Sequence, residues 1–412
     1  MSLEKIINGI KKAACITLAT IALASGSAKA TDEYEIIRLS NFQIGNIGLT
    51  TNVTSVYNIN NQGEVAGCVS CIPIIEEPYK KPFIYNLCNE RIFSEFKIIP
   101  ENFFGYAKAI SNFSDLPHEY ERRFVILEEQ YEDYYGNINF LKSYITDIFF
   151  PFRCLPPFIF DSHTFPLEFK AQDINSRGEV VGENYVYAGR SIINLCPDSN
   201  ACEAHRINDD SIIVGCSKES VYSFLSQPVF WERVERGEYK KIKLRVPEPW
   251  DGGCALDINK KRQIIGYLLK DYGRLVYKYS PCLWEGENVT ELSPLTKAYA
   301  INDLGQIVGT IDGEKAVLLQ DGIVTDLNNF IPPDSNGPAD WDYLYEAIGI
   351  NDNGQIIGYG YFNYDKGTGR WRMPYPFLMN KKDLEGDLNN DGIVNLRDLS
   401  ELANHWLDGT SP

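Results

Sequence analysis

The chain has little of what catalytic and nucleic-acid-binding sites are usually built from. Only 4 of its 412 residues are histidine, and no Ser/His/Asp or Cys/His set stands at a recognisable spacing, so the sequence assigns no catalytic residue. Its 39 basic residues are outnumbered by 56 acidic ones, which gives a formal net charge of −17. An acidic surface without a basic run repels the phosphate backbone, and we therefore predict no nucleic-acid partner.

Apolar runs long enough to cross a bilayer are also missing. The run over residues 13–24 is too short, since a transmembrane helix needs about 20 residues. Lysines precede this run and Ala28-Lys29-Ala30 follows it, which is typical of a signal peptide with its cleavage site. We therefore expect residues 1–30 to be removed and the mature protein to be secreted, without a transmembrane anchor.

Cysteine is not scarce, but the spacing of the cysteines does not determine which of them form disulfides. One of the ten cysteines lies in the signal peptide, so nine remain and at least one of them is unpaired. Export permits disulfides, and two pairings would close small loops: Cys196 with Cys202, and Cys68 or Cys71 with Cys88. Cys68-Val-Ser-Cys71 has no second pair of this spacing and the histidines are scattered, so the sequence predicts no metal or redox site at the cysteines.

What the sequence does contain is a repeat. Six segments share the pattern Ile-Asn, six further residues and Gly, whereas chance predicts about 0.1 such matches. They begin at Ile59, Ile174, Ile207, Ile258, Ile301 and Ile350, and a seventh, decayed copy is Ala109-Ile110-Ser111-Asn112.

The chemistry of the repeat predicts a β-hairpin in each unit. The apolar residue before Asn ends a strand, and the Asn, Asp and Gly residues that follow tolerate φ > 0 and form a tight turn. β-branched residues then begin a second strand, as in Gln306-Ile307-Val308-Gly309. An apolar third strand follows, as in PCLWE from Pro281, and several units add a fourth, as in Val289-Thr290-Glu291-Leu292. Four strands per unit predict the blade of a β-propeller.

We therefore predict an all-β fold, a six- or seven-bladed β-propeller over residues 31–380, followed by a small calcium-binding loop-helix module over residues 381–412. The last repeat lacks its fourth strand, whereas residues 33–39 have the pattern of a strand without a partner. We expect this strand to complete the last blade and close the ring, because an unclosed array would leave strand edges exposed.

The repeat resembles the units of the bacterial extracellular HAF-repeat family. Those units run Ala-x-x-Ile-Asn-x-x-Gly-x-x-Val-Gly and continue into an apolar strand, and residues 298–309, AYAINDLGQIVG, fit the first half. The His-Ala-Phe that names the family is replaced here, for example by Lys81-Pro82-Phe83. The resemblance covers most of residues 50–380 and implies a bacterial, extracellular, propeller-like protein, without an activity that can be transferred.

The polar residues of the repeat have two interpretations. In a functional interpretation the recurrent asparagines, with Asp173, Asp257 and Asp303 beside them, would form buried polar rings. In a structural interpretation each asparagine amide caps the backbone of its turn. We adopt the second, because a repeated residue is first explained by a repeated structural need, and we expect a functional site to interrupt the repeat.

The largest interruption covers residues 116–166, where aromatic and acidic residues are interleaved. Such a segment is typical of a ligand or glycan platform, and the alternative is a decayed blade with a self-packed loop. The loop over residues 332–345 is a second candidate. The residues that we predict to bind a ligand are Tyr131, Tyr134, Tyr135 and Trp341.

The last residues carry the most specific motif. Residues 387–398, DLNNDGIVNLRD, place oxygen-bearing groups at loop positions 1, 3, 5, 7, 9 and 12, and Gly392 at position 6 permits the sharp bend. A hard cation with six or more oxygen ligands fits this spacing, so calcium is the predicted cofactor. The predicted ligands are Asp387, Asn389, Asp391, the carbonyl of Ile393, Asn395 and Asp398.

A helix with one apolar face is predicted directly after this loop. The stretch from Gly386, GDLNNDGIVNLRDLSELANHWL, resembles a dockerin type I repeat, which implies attachment to a cohesin-like receptor. Dockerins usually carry two such repeats, and one is found here.

Taken from the sequence, three functions remain open. The favoured one is a secreted, non-catalytic protein of the bacterial exterior or cell surface that binds a glycan or a surface protein and is attached through the calcium module. The alternative is an extracellular carbohydrate-active enzyme that degrades polysaccharide and is tethered in the same way. A third is a structural component of an extracellular matrix. Two carboxylates that face one tryptophan-lined cleft roughly 5–10 Å apart would favour the enzyme, and a cleft without such a pair would favour binding.

Overall fold

The structure is a computed structural model that describes sixteen stretches of the chain. They are residues 34–39, 42–43, 50–71, 79–86, 91–93, 105–112, 121–132, 138–150, 158–159, 165–197, 201–218, 225–235, 238–274, 276–331, 340–363 and 372–381. Within these ranges, no helix combines the length and the hydropathy needed to span a membrane. The calcium loop and the helix after it lie outside them, so the predicted C-terminal module stays a prediction.

The strands form seven sheets, which we number as blades 1 to 7 in chain order. Blade 1 contains β2 (Phe42–Gln43), β3 (Thr50–Ile59), β4 (Glu64–Cys71), β5 (Tyr79–Asn86) and β6 (Arg91–Phe93). Blade 2 contains β7 (Gly105–Ile110), β8 (Glu121–Glu132) and β9 (Ile138–Phe150), with β10 (Phe158–Ile159) and β11 (Phe165–Leu167) both paired to β9. Blade 3 contains β12 (Asp173–Ile174), β13 (Val180–Gly182), β14 (Tyr185–Ala188) and β15 (Ser191–Asn194).

The remaining four blades have four strands each. Blade 4 contains β16 (Cys202–Ile207), β17 (Ile213–Lys218), β18 (Ser226–Glu235) and β19 (Glu238–Lys243). Blade 5 contains β20 (Gly252–Ile258), β21 (Gln263–Asp271), β22 (Tyr277–Glu285) and β23 (Asn288–Glu291). Blade 6 contains β24 (Lys297–Ile301), β25 (Ile307–Ile311), β26 (Lys315–Gln320) and β27 (Ile323–Asp326), followed by a 3-10 helix over Leu327–Phe330. Blade 7 contains β28 (Asp340–Ile350), β29 (Ile356–Asn363), β30 (Arg372–Lys381) and β1 (Tyr34–Arg38).

The predicted β-propeller is confirmed, and the described strands form seven blades. Six blades carry the full repeat and blade 2 carries the decayed copy, whose strand β7 ends at Ile110. The segment 116–166, predicted either as a ligand platform or as a decayed blade, supplies β8, β9 and β10 of blade 2.

The turn of the repeat forms as its residues predict. One strand in each of the six blades ends at the Ile of the motif, and the residue three positions after Asn has positive φ. Glycine fills that position in four blades, with φ between 73° and 89°. Ser211 and Arg262 take the same conformation in the other two, each at φ 62°, which costs a non-glycine residue about 1–2 kcal/mol.

The N-terminal strand closes the ring, as predicted. β1 is the outermost strand of blade 7, next to β30. The amide of Leu39 donates to the carbonyl of Pro376 at 3.1 Å, and the Arg38 guanidinium lies 5.4 Å from the ring centre of Tyr375. The last blade is therefore built from both ends of the chain, which leaves neither end of the array with an open edge.

Hydrophobic packing between neighbouring blades forms the core. Trp284, in the third strand of blade 5, is fully buried and packs with Val214 and Leu244 of blade 4. Its indole N–H donates to the carbonyl of Arg245 at 2.8 Å. Trp231 of blade 4 is buried in the same way and donates to Leu195 at 3.2 Å. The apolar third strand that the sequence predicts is thus the element that joins one blade to the preceding one.

Two further features complete the description. The predicted Cys196–Cys202 disulfide is present and closes a loop after blade 3, whereas Cys88 lies outside the described residues. By compactness the chain divides into a larger unit, residues 37–328 and 336–378, and a smaller one. In the smaller unit the rings of Tyr34 and Phe330 lie 4.6 Å apart.

Candidate functional site

The Ile-Asn turns of the blades converge on a central channel in the larger unit. Its cavity of about 160 Å³ is lined by residues from all seven blades, among them the motif residues Ile59, Asn60, Asn175 and Asn302. The repeat therefore places the same side chains around one axis, and the asparagines do form a ring.

The oxygen of each asparagine caps its own turn, as the structural interpretation predicts. The Oδ1 atom of Asn302 accepts hydrogen bonds from the amides of Leu304 at 3.1 Å and Gln306 at 2.9 Å. The other five asparagines accept from the amide four residues further on, at 2.9 to 3.0 Å. These contacts satisfy backbone N–H groups that the tight turn would otherwise leave unpaired.

The nitrogen of each asparagine bonds to the equivalent turn of the next blade, a role that the sequence pattern does not indicate. The Nδ2 atom donates to the backbone carbonyl of the residue at the equivalent position. The six links join Asn60 to Ser111 (3.0 Å), Asn175 to Asn208 (3.1 Å), Asn208 to Asn259 (3.3 Å), Asn259 to Asn302 (2.9 Å), Asn302 to Asn351 (2.9 Å) and Asn351 to Asn60 (2.8 Å). The last link runs from blade 7 back to blade 1. Blade 2 has Ser111 in place of the asparagine, so the six links do not join blade 2 to blade 3.

A second set of hydrogen bonds between blades is formed by the residues that follow the asparagines. In it a backbone amide donates to the side-chain oxygen of the equivalent residue in the next blade, as Lys260 does to Asp303 at 2.7 Å and Asp303 to Asp352 at 2.7 Å. The Nζ atom of Lys260 also lies 3.2 Å from the Asp303 carboxylate and 3.7 Å from that of Asp209. The acidic side chains at this end of the channel thus form hydrogen bonds and ion pairs between blades.

Blades 1, 3 and 5 place a side-chain acceptor directly before the motif Ile. Asn58, Asp173 and Asp257 accept the amide of the Ile in the following blade, at 3.2, 3.0 and 2.9 Å. Strand ends in alternate blades are thereby capped by their neighbours. Asp173 and Asp257, which the sequence analysis noted beside the asparagines, have this capping role.

Arg206 lies in the channel between two of these acids, and no pattern in the sequence pointed to it. One of its guanidinium nitrogens is 3.9 Å from Asp173 and another is 3.7 Å from Asp257. The three side chains come from blades 4, 3 and 5, and the Arg206 side chain is 27% exposed. A half-buried cation between two carboxylates depends on all three partners, because removal of one leaves a charge that is only partly compensated.

Burial raises the pKa of both carboxyls, against the opposing effect of Arg206. The pKa of Asp257 rises from the ordinary 3.8 to about 6, and that of Asp173 also rises. A folded-state pKa above the unfolded value means that the contribution of Asp257 to stability is complete below about pH 4 and is lost as the pH passes through about 6.

We therefore expect Asp257→Asn to change how stability depends on pH. Because the variant cannot ionise here, the free energy of unfolding of the wild type should fall relative to that of the variant between about pH 4 and 7, by on the order of 2–3 kcal/mol. Chemical denaturation of both proteins across this pH range measures the difference.

Asp251→Asn is the matched control for this prediction. Its carboxyl is exposed, and a hydrogen bond from Lys270 lowers its pKa, so the pH dependence should shift weakly in the opposite direction. Parallel stability curves for the wild type and Asp257→Asn would contradict the raised pKa.

A different cluster of polar and aromatic residues lies on blade 7. Tyr343, Tyr345, Tyr359 and Tyr361 are half-buried, with ring centres 5.0 Å apart for Tyr345 and Tyr361 and 5.1 Å apart for Tyr343 and Tyr361. Beside them, the Tyr299 hydroxyl donates to Glu346 at 3.1 Å. We call these four rings the tyrosine cluster. The sequence signal for it was the alternation Tyr-x-Tyr in two consecutive strands, which places the side chains on one face of a hairpin.

The structure places the predicted ligand-binding residues unevenly. Trp341 begins the β28 strand of blade 7, is 9% exposed and meets the ring of Phe377 edge-on at 6.0 Å. Tyr131 lies near the end of β8, and Tyr134 and Tyr135 lie outside the described residues. The six predicted calcium ligands from Asp387 to Asp398 also lie outside. Ligand and calcium binding by these residues stay predictions.

Comparison with known proteins gives similarity of fold alone. No family model matches the chain, and no curated protein sequence matches it. Similar solved structures include the β-propeller domain of the Trilobed protease from Pyrococcus furiosus, with 10% identity over 79% of this chain and 93% of that one and a TM-score of 0.37. Trypanosoma rangeli sialidase has 7% identity over 91% of this chain and 62% of its own, with a TM-score of 0.37.

A putative oxidoreductase (glucose dehydrogenase) from Thermus thermophilus is a third similar structure. It has 8% identity over 84% of this chain and 99% of its own, with a TM-score of 0.33. No activity is transferred from proteins this dissimilar in sequence. The seven sheets of the chain, joined at Leu39 and through the Asn351 amide, themselves make it a β-propeller.

Proposed function

We propose that this protein is an exported β-propeller that binds a glycan of the cell exterior without catalysis, and that its C-terminal calcium loop attaches it to a surface receptor. The tyrosine cluster of blade 7 is the observation that carries the binding role. Half-buried aromatic rings suit a sugar because they cover its C–H faces. The Glu346 carboxylate, which accepts from the Tyr299 hydroxyl beside the rings, offers an acceptor for the hydroxyls of the sugar.

The contents of the channel support the absence of catalysis. The side-chain amide of Asn302 makes two hydrogen bonds within its turn and one to the next blade. Each carboxylate oxygen of Asp257 accepts a hydrogen bond from a backbone amide at 2.9 Å. The cavity of about 160 Å³ is also smaller than the roughly 300–1,000 Å³ of typical small-molecule sites. A polysaccharide chain therefore has to bind outside the channel.

A glycosidase is the second candidate function, and one observation favours it. Asp173 and Asp257 line the same cavity, and the pKa of Asp257 is raised to about 6, as a general acid requires. Their capping of backbone amides argues for a structural role instead. Release of sugar products by the wild type, lost in Asp257→Asn, would establish hydrolysis and overturn the non-catalytic proposal.

A glycan array probed with the mature full-length chain tests the binding role. We expect the Tyr345→Ala, Tyr361→Ala double variant to bind its glycans about tenfold more weakly or worse, because loss of a central aromatic contact typically costs more than 1 kcal/mol. Tyr272→Ala is the control, since Tyr272 is 64% exposed and lies on blade 5. Equal loss in both variants, or none in either, would contradict a role of the cluster.

Calcium binding by the C-terminal loop is measured in the same full-length chain, with the Asp387→Ala, Asp391→Ala double variant for comparison. We expect the wild type to take up calcium in titration calorimetry and this variant to lose it, because two of the predicted oxygen ligands are removed. Glycan binding by the propeller should survive the change, whereas attachment to cells should not. An unchanged calcium isotherm in the variant would show that the loop is not the site.

A further inference from the structure

Three side chains that bind metals in other proteins meet at the boundary between blades 4 and 5. They are His205 on β16, Cys216 on β17 and Cys254 on β20, and an imidazole nitrogen and the two sulfur atoms all lie within 4.8 Å of one another. Both cysteines are buried and His205 is half-buried. We call this group the Cys2His cluster.

A β-bulge directs His205 toward the two thiols. The register of β16 against β17 shifts between Ala204 and Arg206, so His205 is the extra residue. A bulge of this kind turns a side chain away from the regular alternation of the strand. Cys216 follows the motif glycine Gly215 on the neighbouring strand.

The same three positions are occupied differently at other blade boundaries. Between blades 6 and 7 the bulged Tyr299 donates to Glu346, and Thr310 donates to a carbonyl of blade 7 at 2.7 Å. Between blades 2 and 3 the Nζ atom of the bulged Lys108 lies 3.7 Å from the carboxylate of Glu128, and the Nζ atom of Lys170 lies 3.9 Å from it. Ordinary polar contacts therefore satisfy the architecture, and the fold does not require two cysteines and a histidine at this boundary.

We propose that the Cys2His cluster is a binding site for a borderline-soft divalent cation of the zinc type. Two thiolates and an imidazole are the ligands that such an ion prefers, at about 2.0–2.3 Å from the metal. Sulfur and nitrogen atoms that already lie within 4.8 Å of one another need only rotamer adjustments to reach that distance.

Two features of the cluster bear on what the ion would do. Three protein ligands leave the fourth tetrahedral position of zinc for water or an external ligand. The site would also tie blade 4 to blade 5, since Cys254 is the one ligand from blade 5.

Cobalt titration of the mature full-length chain tests the proposal. The protein is reduced, stripped with a chelator and titrated with Co²⁺ in excess calcium, which saturates oxygen sites such as the predicted C-terminal loop. Thiolate ligation gives a near-ultraviolet charge-transfer band that oxygen ligands do not produce. We expect one equivalent to bind with this band, and Zn²⁺ to displace it.

Variants assign the band to the cluster. Cys216→Ser and Cys254→Ser should each reduce the band by at least half, because one of the two thiolate ligands is removed, and His205→Ala should weaken binding at least tenfold. Cys282→Ala is the matched control, because Cys282 is a fully buried cysteine of blade 5 outside the cluster, and it should titrate like the wild type. Circular dichroism of each metal-free variant establishes that it is folded.

A second measurement keeps the proposal testable if a serine variant fails to fold. Zinc should protect Cys216 and Cys254 of the wild type from alkylation, as located by mass spectrometry. A band of full intensity in both serine variants, alkylation unaffected by zinc, or a Cys216–Cys254 disulfide in the protein isolated without reductant would each overturn the metal site.

Discussion

Replacing Gly309 by alanine is expected to lower the free energy of unfolding by about 3 kcal/mol or more. Gly309 is the glycine that ends the repeat motif in blade 6, and a Cβ atom there would lie 2.0 Å from the carbonyl oxygen of Lys297. Overpacking usually costs about 1–3 kcal/mol. Here the clashing atom belongs to the backbone of the paired strand, so the cost should lie at or above the upper end of that range. Chemical denaturation followed by tryptophan fluorescence measures the loss.

The same close approach recurs around the ring, which explains why the repeat keeps a glycine. An added Cβ would meet a backbone oxygen at 2.0 Å for Gly182, 1.9 Å for Gly215, 2.0 Å for Gly266 and 2.2 Å for Gly358. In blade 6 this close approach accompanies the bulge at Tyr299, which follows Ala298, the residue paired with Gly309. The glycine is thus required by the neighbouring strand.

Gly322→Ala is the control for this prediction. Gly322 has φ 78°, and no atom lies within 4 Å of the position that a Cβ would take there. Alanine at this position therefore meets strain but no clash and should cost about 1 kcal/mol. If Gly309→Ala were no more destabilising than Gly322→Ala, the close strand approach would be wrong.

Loss of a single ring asparagine should have an effect of similar size. Asn302 is 3% exposed and makes four side-chain hydrogen bonds, two within its turn, one to the Gln306 side chain at 2.7 Å and one to the Asn351 carbonyl at 2.9 Å. Asn302→Ala leaves buried backbone groups in two blades without partners, each costing about 1–3 kcal/mol. We expect the free energy of unfolding to fall by about 3 kcal/mol or more.

Asn302→Asp separates the two roles of the amide. Aspartate keeps the acceptor for the turn but directs a second oxygen at Gln306 and at the carbonyl of Asn351, so the repulsion should raise the pKa of the new carboxyl. The variant should therefore lose more stability at about pH 8 than at about pH 4, where a protonated carboxyl can still donate. Denaturation of the variant and wild type at both pH values measures this difference.

Leu304→Ala provides the control in the same turn. The Leu304 side chain is 61% exposed, so its removal should change stability by no more than about 0.5 kcal/mol. Equal stability of Asn302→Ala and Leu304→Ala would show that the asparagine ring contributes nothing to the joining of blades.

The hairpins of the repeat could be predicted from the sequence because the interactions that form them are local. The strand ends at Ile301, the amide cap of Asn302 and the positive φ of Gly305 all depend on residues within one turn. Closure by the N-terminal strand was also predictable, because a blade that lacks a strand and a strand that lacks a partner are both visible in the chain.

The sequence could not show which side chains meet across blades. Arg206 joins Asp173 and Asp257 only because three blades face one axis. His205, Cys216 and Cys254 stand at no metal-binding spacing and meet because a bulge and a blade boundary bring them together. The tyrosine cluster likewise depends on the pairing of β28 with β29, which aligns Tyr343 with Tyr361.

The kind of blade, the turn that repeats and the strand that closes the ring all follow from the amino-acid sequence, because hydrogen bonding and conformational preference act over a few residues. The bond from the Asn302 nitrogen to Asn351 and the close approach of Gly309 to Lys297 could be found only in the folded protein. The first contact joins two blades and forms when the sheets pack around a common axis, and the second joins paired strands of one blade and depends on their bulged register.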